Sequence, residues 1–222
     1  MDVERAKRDL VEYGIKLDRS GMIIGPGGNI SVRCADVVYI KASGTAMGDG
    51  READYLALDL VTGEVIDGAG GDMKPSCEYG MHLAAYRARE DAGAFVHSHP
   101  AYATAWSFSG RALRALTPDF AAFLGVEVPV LPYTAPGSEE LAGSVAAALA
   151  KCEAAILGSH GMVAIGASMR DAYTKTLLVE DAAETVLAAL AAGMEPKYLE
   201  PEEAARIHGW EVEEFRRKML ER

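Results

Sequence analysis

The sequence predicts an α/β fold: one domain in which helices alternate with many short strands around a mainly antiparallel central sheet. Three observations carry this. Short apolar runs are bounded by turns, and one pair of them is close enough to form a hairpin. Amphipathic segments of helical period lie between the runs. No repeat, low-complexity tract or linker divides the 222 residues, a length that suits one large domain (1–222) better than two separate ones.

Taken in order, residues 3–17 place Val3, Lys7, Leu10, Gly14 and Leu17 near one helical stripe, and Ser20-Gly21 ends it. Gly25-Pro26-Gly27-Gly28-Asn29 reads as a loop, followed by strands at 30–33 and 36–41 and a turn at Ser43-Gly44-Thr45. Strands at 56–60 and 64–66 flank Thr62-Gly63 as a hairpin. A glycine-rich loop over 67–74 leads to Pro75-Ser76, where a helix is expected to begin and run to about residue 90. Residues 94–99 read as a strand and 102–108 as a helix, with short strands and loop from there to Gly137. Ser138 before Glu139-Glu140 is an N-cap with acids at the positive helix end, opening a helix to about Lys151. Strands at 154–157 and 162–165 enclose Ser159-His160-Gly161. The capping box Ser168-Met169-Arg170-Asp171 opens a long helix to Ala192, and Pro201-Glu202-Glu203 starts a final one.

Half the residues are hydrophobic and a quarter charged, as in an ordinary soluble protein. The formal charge of -11 opposes nucleic acid, because a duplex binder needs a basic face to displace counterions. Arg216-Arg217-Lys218 is interleaved with acids and reads as a solvated helix face. An anionic substrate must therefore be attracted by the site itself. No apolar run is long enough to span a bilayer, so no membrane partner is expected. The segment Met1-Asp2-Val3-Glu4-Arg5 is charged and periodic, unlike a secretory leader. Three cysteines without metal-like spacing suit a reduced, cytoplasmic setting.

Of five histidines, three carry weight. His97 and His99 are two apart on an expected strand, so both imidazoles leave one face and can offer lone pairs to one divalent cation. The same pattern also fits a hydrogen-bonded pair at a strand end. His160 adds a third nitrogen between Gly158 and Gly161, which leave room close to the backbone. Three imidazoles with one open position are the arrangement of a catalytic zinc site. Glu78, near the expected helix start, feels the positive end of the helix dipole, although first-turn glutamates are common in any helix. His82, four residues on, reads as a core or supporting histidine, and His208 as a surface one. The turns at Gly27-Gly28-Asn29, Ser43-Gly44-Thr45 and Ser76-Cys77 can each present N–H groups to an anion, and together they suggest a phosphate cradle.

The run Gly28-Asn29-Ile30-Ser31, then Ser43-Gly44, Pro75-Ser76-Cys77-Glu78, His97-Ser98-His99 and Ser159-His160-Gly161 resembles the class II aldolase/adducin family, in order and spacing over almost the whole chain. The nearest look is to its L-fuculose-1-phosphate aldolase branch. That resemblance implies a three-layer α/β/α sandwich and a homotetramer with active sites between subunits. It implies Zn2+, with Mn2+ or Co2+ as alternatives, on His97, His99 and His160, and Glu78 as the acid/base that completes the metal shell when substrate is absent. It also implies phosphate binding by Gly28, Asn29, Ser43, Gly44, Ser76 and Cys77. The implied reaction is reversible cleavage of a ketose 1-phosphate to dihydroxyacetone phosphate and an aldehyde. The metal stabilises the enediolate and Glu78 handles the proton.

The chain departs from that pattern twice. Cys77 stands where the family usually has a second serine, which removes a hydroxyl donor to phosphate but keeps the backbone N–H. In Leu116-Thr117-Pro118-Asp119-Phe120 there is no tyrosine for the aldehyde side. Asp119 instead resembles the acid of the pentulose-phosphate 4-epimerase branch, or is a plain turn residue. That branch carries Asp at the position of Glu78, so the glutamate favours aldolase and a substrate such as a 5-deoxypentulose or methylthiopentulose 1-phosphate is open. The competing readings are an epimerase, a metal-dependent dehydratase or decarboxylase, and a non-enzymatic adducin-like interaction domain.

Overall fold

The computed structural model describes residues 2–67 and 72–220, so residues 68–71 of the glycine-rich loop expected over 67–74 lie outside the described residues. The first four strands, β1 (Asn29–Cys34), β2 (Val37–Lys41), β3 (Tyr55–Asp59) and β4 (Val65–Asp67), form a meander. The turn between β3 and β4 is the expected hairpin. They are joined by β5 (Ala94–Ser98), β8 (Val130–Leu131), β9 (Ala154–Leu157) and β10 (Gly161–Gly166), while β6 (Leu113–Arg114) and β7 (Glu127–Val128) pair separately. The order across the eight-stranded sheet is β4-β3-β2-β1-β5-β10-β9-β8. Every neighbouring pair is antiparallel except β8 with β9 at the edge. The sheet is mainly antiparallel, as the sequence predicts.

Side-chain alternation sorts each strand between two faces. Ile40, Leu58, Phe95, Val163 and Ile165 point to one face, where α2 (Tyr79–Ala88) and α5 (Glu139–Leu149) cover them. Ile30, Val32, Val96 and Ala164 point to the other. That face is covered by α1 (Val3–Arg19), α3 (Ala101–Ser107), α4 (Pro118–Leu124), α6 (Met169–Ala191) and α7 (Pro201–His208), with α8 (Glu211–Leu220) against α4 and α6. The result is the three-layer α/β/α sandwich. Ser138 and Ser168 cap α5 and α6 as expected, each accepting a hydrogen bond of 3.1 Å from the third residue onward. Among the described residues no helix is long and apolar enough to cross a membrane.

Three elements differ from the sequence reading. The helix expected from Pro75-Ser76 begins only at Tyr79. Pro75 bridges Ala42, and the Ser76 N–H donates to the Lys41 carbonyl, so residues 74–76 are held extended along the end of β2 and cannot yet coil. The segment read as short strands and loop contains α4. Thr117 caps it, accepting from the Phe120 N–H at 3.2 Å, with Pro118 in the first turn, and apolar side chains from Phe120 to Leu124 bury it. The final helix is two, α7 and α8, separated by Gly209-Trp210.

Under α6 a buried ion network supports the sheet: Lys175 Nζ lies 2.7 Å from Glu153 and 2.9 Å from Asp171, and donates to the Ile165 carbonyl. Burial alone would raise the Glu153 carboxyl, but Lys175 and Arg89 outweigh it and hold it below its ordinary value. That contribution to stability is therefore present above the ordinary glutamate range and is lost as pH falls below it. Lys175→Met leaves two buried acids short of a partner and is expected to cost about 3 kcal/mol, checked by urea unfolding. The figure sits at the low end because Arg89 still holds Glu153.

Candidate metal centre and active site

The pairing of strands brings the histidines together. His97 stands opposite Asn29 on β1 and Val163 on β10, on the face that Phe95 shares with α2. His99 is one residue past β5, anchored by its N–H on the Met22 carbonyl at 2.9 Å. His160 hangs from the turn between β9 and β10, where Ser159 adopts a left-handed conformation (φ 52°) and its N–H is held by Ser107 Oγ. Gly161 follows because a Cβ there would stand 2.3 Å from the Ser98 carbonyl and 2.7 Å from the His99 ring. Any side chain would push β10 off the metal pair. Glu78 is the N-cap residue of α2, and its carboxylate is buried against this cluster.

Four donors thus face one point. The three ring nitrogens lie within 4.8 Å of one another, with His97 Nε2 and His99 Nε2 2.9 Å apart. Glu78 Oε2 is 3.2 Å from His97 Nε2, and Oε1 is 3.4 Å from His160 Nε2. His97 Nδ1–H donates to the Met162 carbonyl at 2.9 Å, so its Nε2 presents a lone pair inward. Burial, then His97 and His160, pushes His99 down to about 4, and burial and His97 lower His160. Burial alone would raise Glu78, but its neighbours His97 and His160 and the hydrogen bond from Asn29 hold it at about 2. Converging lone pairs and a carboxylate repel one another unless something positive sits among them, and buried Glu78 Oε1 has no hydrogen-bond partner. The donor set fits a divalent cation: three imidazoles and one carboxylate.

The three turns expected to bind an anion meet beside this cluster. The Ala42–Pro75 bridge sets Ser43-Gly44 next to Ser76-Cys77. Gly28 has φ 67°, and a Cβ there would stand 2.8 Å from the His97 carbonyl, so only glycine lets the loop pass so close to β5. Ser43 and Ser76 use their own N–H groups on the Lys74 and Lys41 carbonyls, which leaves their hydroxyls to meet an anion. Ser43, Gly44 and Cys77 are exposed and Ser76 is buried. Asn29, expected at the phosphate, has its carboxamide engaged elsewhere: Nδ2 donates to Glu78 Oε2 at 3.0 Å and Oδ1 meets His82.

Lys41 is the residue that sequence reasoning passed over. It is 3% exposed, yet its ammonium has only the Pro26 and Ala42 carbonyls as hydrogen-bond partners and, among the described residues, no carboxylate in ion-pair range. Burial lowers its pKa. A lysine closing an otherwise apolar strand just before Ser43-Gly44 was the available signal. Asp119 goes the other way. It stands in the first turn of α4 with its side chain 61% exposed, pairs with Arg216 of α8 at 2.9 Å, and is not brought to the histidines of its own chain.

A sequence profile of the Class II Aldolase and Adducin N-terminal domain matches residues 8–187. The chain belongs to this family. It is 35% identical over 209 residues to the 5-deoxy-D-ribulose 1-phosphate aldolase of Bacillus thuringiensis serovar kurstaki, covering 93% of this chain and 95% of the relative. It is 31% identical over 220 residues to the L-fuculose phosphate aldolase of Escherichia coli K12, covering 96% of this chain and all of the relative. A solved L-fuculose 1-phosphate aldolase superposes with a TM-score of 0.87 at 31% identity, over 97% of this chain and 98% of that one. The chain is a class II aldolase, a lyase of a metal-dependent family, and its histidine cluster is suited to a metal.

Proposed function

We propose that this enzyme cleaves a ketose 1-phosphate, of the L-fuculose or 5-deoxypentulose type, reversibly to dihydroxyacetone phosphate and an aldehyde. The observation that carries the reading is the convergence of His97, His99, His160 and Glu78 beside three turns able to cradle a phosphate. His97, His99 and His160 would hold zinc, whose preference for imidazole in a tetrahedral shell with an open position matches the donor set. A divalent cation there supplies the positive charge that the electron pair released from the C3–C4 bond requires.

The chain's own residues do the rest. Gly28, Ser43, Gly44, Ser76 and Cys77 bind the phosphate, with Lys41 as the nearby cation, and so orient the substrate toward the histidines. As the C4 hydroxyl gives its proton to a base on the aldehyde side, assigned below to Asp119, C4 becomes the aldehyde carbon and the C3–C4 electrons remain on C3. Glu78 delivers a proton to C3, giving dihydroxyacetone phosphate, and removes it in the condensation direction. The carboxylate is buried, ionised and already at the cluster, ready to remove the C3 proton in condensation; for cleavage it first takes a proton from solvent.

The protein works in this reading as a cytoplasmic homotetramer with sites between subunits, and Asp119 serves the aldehyde side of a neighbour's site by assisting the C4 oxygen. Its exposure and its distance from its own chain's histidines support that placement. Asp119→Asn is then expected to lower cleavage far more than solvent deuterium exchange into dihydroxyacetone phosphate, because exchange never touches C4. Cleavage at the parent rate would leave Asp119 as a partner of Arg216 and nothing more.

Purified protein incubated with dihydroxyacetone phosphate and a panel of short aldehydes tests the whole reading. Condensation products that vanish on chelation and return with zinc are expected. Interconversion of pentulose phosphate epimers without carbon–carbon cleavage would replace aldolase by epimerase.

A further inference from the structure

Behind Glu78 runs a line of buried side chains that the mechanism above does not use. Asn29 is 3% exposed, and His82, Ser31 and Tyr86 are fully or almost fully enclosed. Asn29 and Ser31 are two apart on β1 and share a face; His82 and Tyr86 are four apart on α2 and share a stripe. The two pairs interlock. Glu78 Oε2 accepts from Asn29 Nδ2 at 3.0 Å, and Asn29 Oδ1 meets His82 Nε2. His82 Nδ1 lies 2.7 Å from Ser31 Oγ. The Tyr86 hydroxyl is 2.9 Å from Ser31 Oγ and donates to the Ser31 carbonyl at 3.0 Å.

The chemistry of these atoms fixes where the hydrogens sit from Glu78 to Ser31, and the Tyr86 proton is shared between the Ser31 carbonyl and Oγ. An ionised carboxylate only accepts, so Asn29 must turn its NH2 toward Glu78. Its amide oxygen then faces His82 and also only accepts, so His82 Nε2 carries the hydrogen. The neutral ring is left with a lone pair on Nδ1, which takes the single proton of the Ser31 hydroxyl. With Glu78 ionised, reversal at either Asn29 link would put two acceptors in contact among side chains that are almost fully enclosed.

We propose that His82, held in its Nε2–H tautomer between Asn29 and Ser31, is a positioning residue: it locks the Asn29 carboxamide, which ties down Glu78 Oε2 and leaves Oε1 as the oxygen that exchanges a proton with substrate. Oε1 is the buried carboxylate atom without a hydrogen-bond partner, as the division of labour requires. The role rests on the reading of Glu78 as the proton-transfer group. It also accounts for a histidine fully shielded from solvent, its ring tilted against Phe95 with centroids 4.1 Å apart.

Two variants and two readouts test it. Nitrogen NMR of histidine-labelled protein, without metal or substrate, is expected to show His82 with its proton on Nε2 at neutral pH. Ser31→Ala should convert that ring to a tautomer mixture. In zinc-loaded protein, Ser31→Ala and His82→Phe, the latter keeping a ring against Phe95, should slow the turnover of deuterium exchange into dihydroxyacetone phosphate by roughly tenfold to a hundredfold. KM and zinc content should stay near the parent's; a merely structural role would move zinc content or leave turnover alone. Should His82→Phe fail to fold, Ser31→Ala carries the test by itself. A proton on Nδ1, a charged His82 ring, or a folded Ser31→Ala that exchanges at the parent rate overturns the proposal. A parent protein that exchanges nothing removes the aldolase reading together with the role of Oε1, whereas an active parent with unaffected variants removes only this proposal.

Discussion

His97→Ala, His99→Ala and His160→Ala are each expected to empty the metal site and bring turnover down to background. The reason is geometric. The three ring nitrogens lie within 4.8 Å of one another, two from the end of β5 and one from the β9–β10 turn, so each variant leaves the cluster one imidazole short. His97 should be the most severe. It is fully buried, its tautomer is set by the Met162 carbonyl, and it sits between Glu78 and His99. The check is zinc per chain by elemental analysis after dialysis, alongside cleavage rate. Full occupancy with a near-normal rate in any one variant would remove that residue from the ligand set. Gly161 is indirectly part of the same prediction, since a larger residue there would displace the His99 ring.

Glu78→Gln is expected to fold and to keep much of its zinc, but to lose between about a hundredfold and ten-thousandfold in proton transfer. A carboxamide has the shape to sit at the mouth of α2. It cannot accept a proton from substrate, and it would set an NH2 or a carbonyl against Asn29, from which the carboxylate now accepts, and against His97 Nε2 at 3.2 Å. The measurement is the rate of solvent deuterium entering dihydroxyacetone phosphate, compared with zinc content in the same preparation. Undiminished exchange would show that another group handles the proton. A variant that loses zinc and exchange together would mean that Glu78 acts chiefly as a ligand.

Much of this site was legible because its residues lie at strand ends and glycine-flanked turns. The period of a strand puts His97 on the α2 face and carries His99 on to the same cluster. Gly158 and Gly161 around His160 mark a place where backbone must approach closely. The buried stripe of α1 and the caps of α5 and α6 follow from local sequence alone. What stayed hidden depended on distant contacts. The strand-like hold on residues 74–76 comes from β2, more than thirty residues earlier, so the start of α2 could not be placed from its own neighbourhood. Helix α4 is seven residues, too short for periodicity to show, although Thr117-Pro118-Asp119 carries a cap, a first-turn proline and an acid. Asn29 looks like a turn residue until Glu78 and His82, some fifty positions on, are seen to claim both ends of its carboxamide. Asp119 finds Arg216 ninety-seven residues later, a pairing with no local signature.

The central claim is that Glu78, beside a histidine cluster that would hold a metal, makes and unmakes a carbon–hydrogen bond on dihydroxyacetone phosphate. The most direct measurement is deuterium incorporation into that compound in heavy water, by stripped protein and by the same protein reloaded with zinc. The account predicts a single deuterium on the hydroxymethyl carbon, entering only with the reloaded protein and stopping again on chelation. Protein that holds stoichiometric zinc and incorporates no deuterium, or stripped protein that incorporates it equally well, would contradict the account.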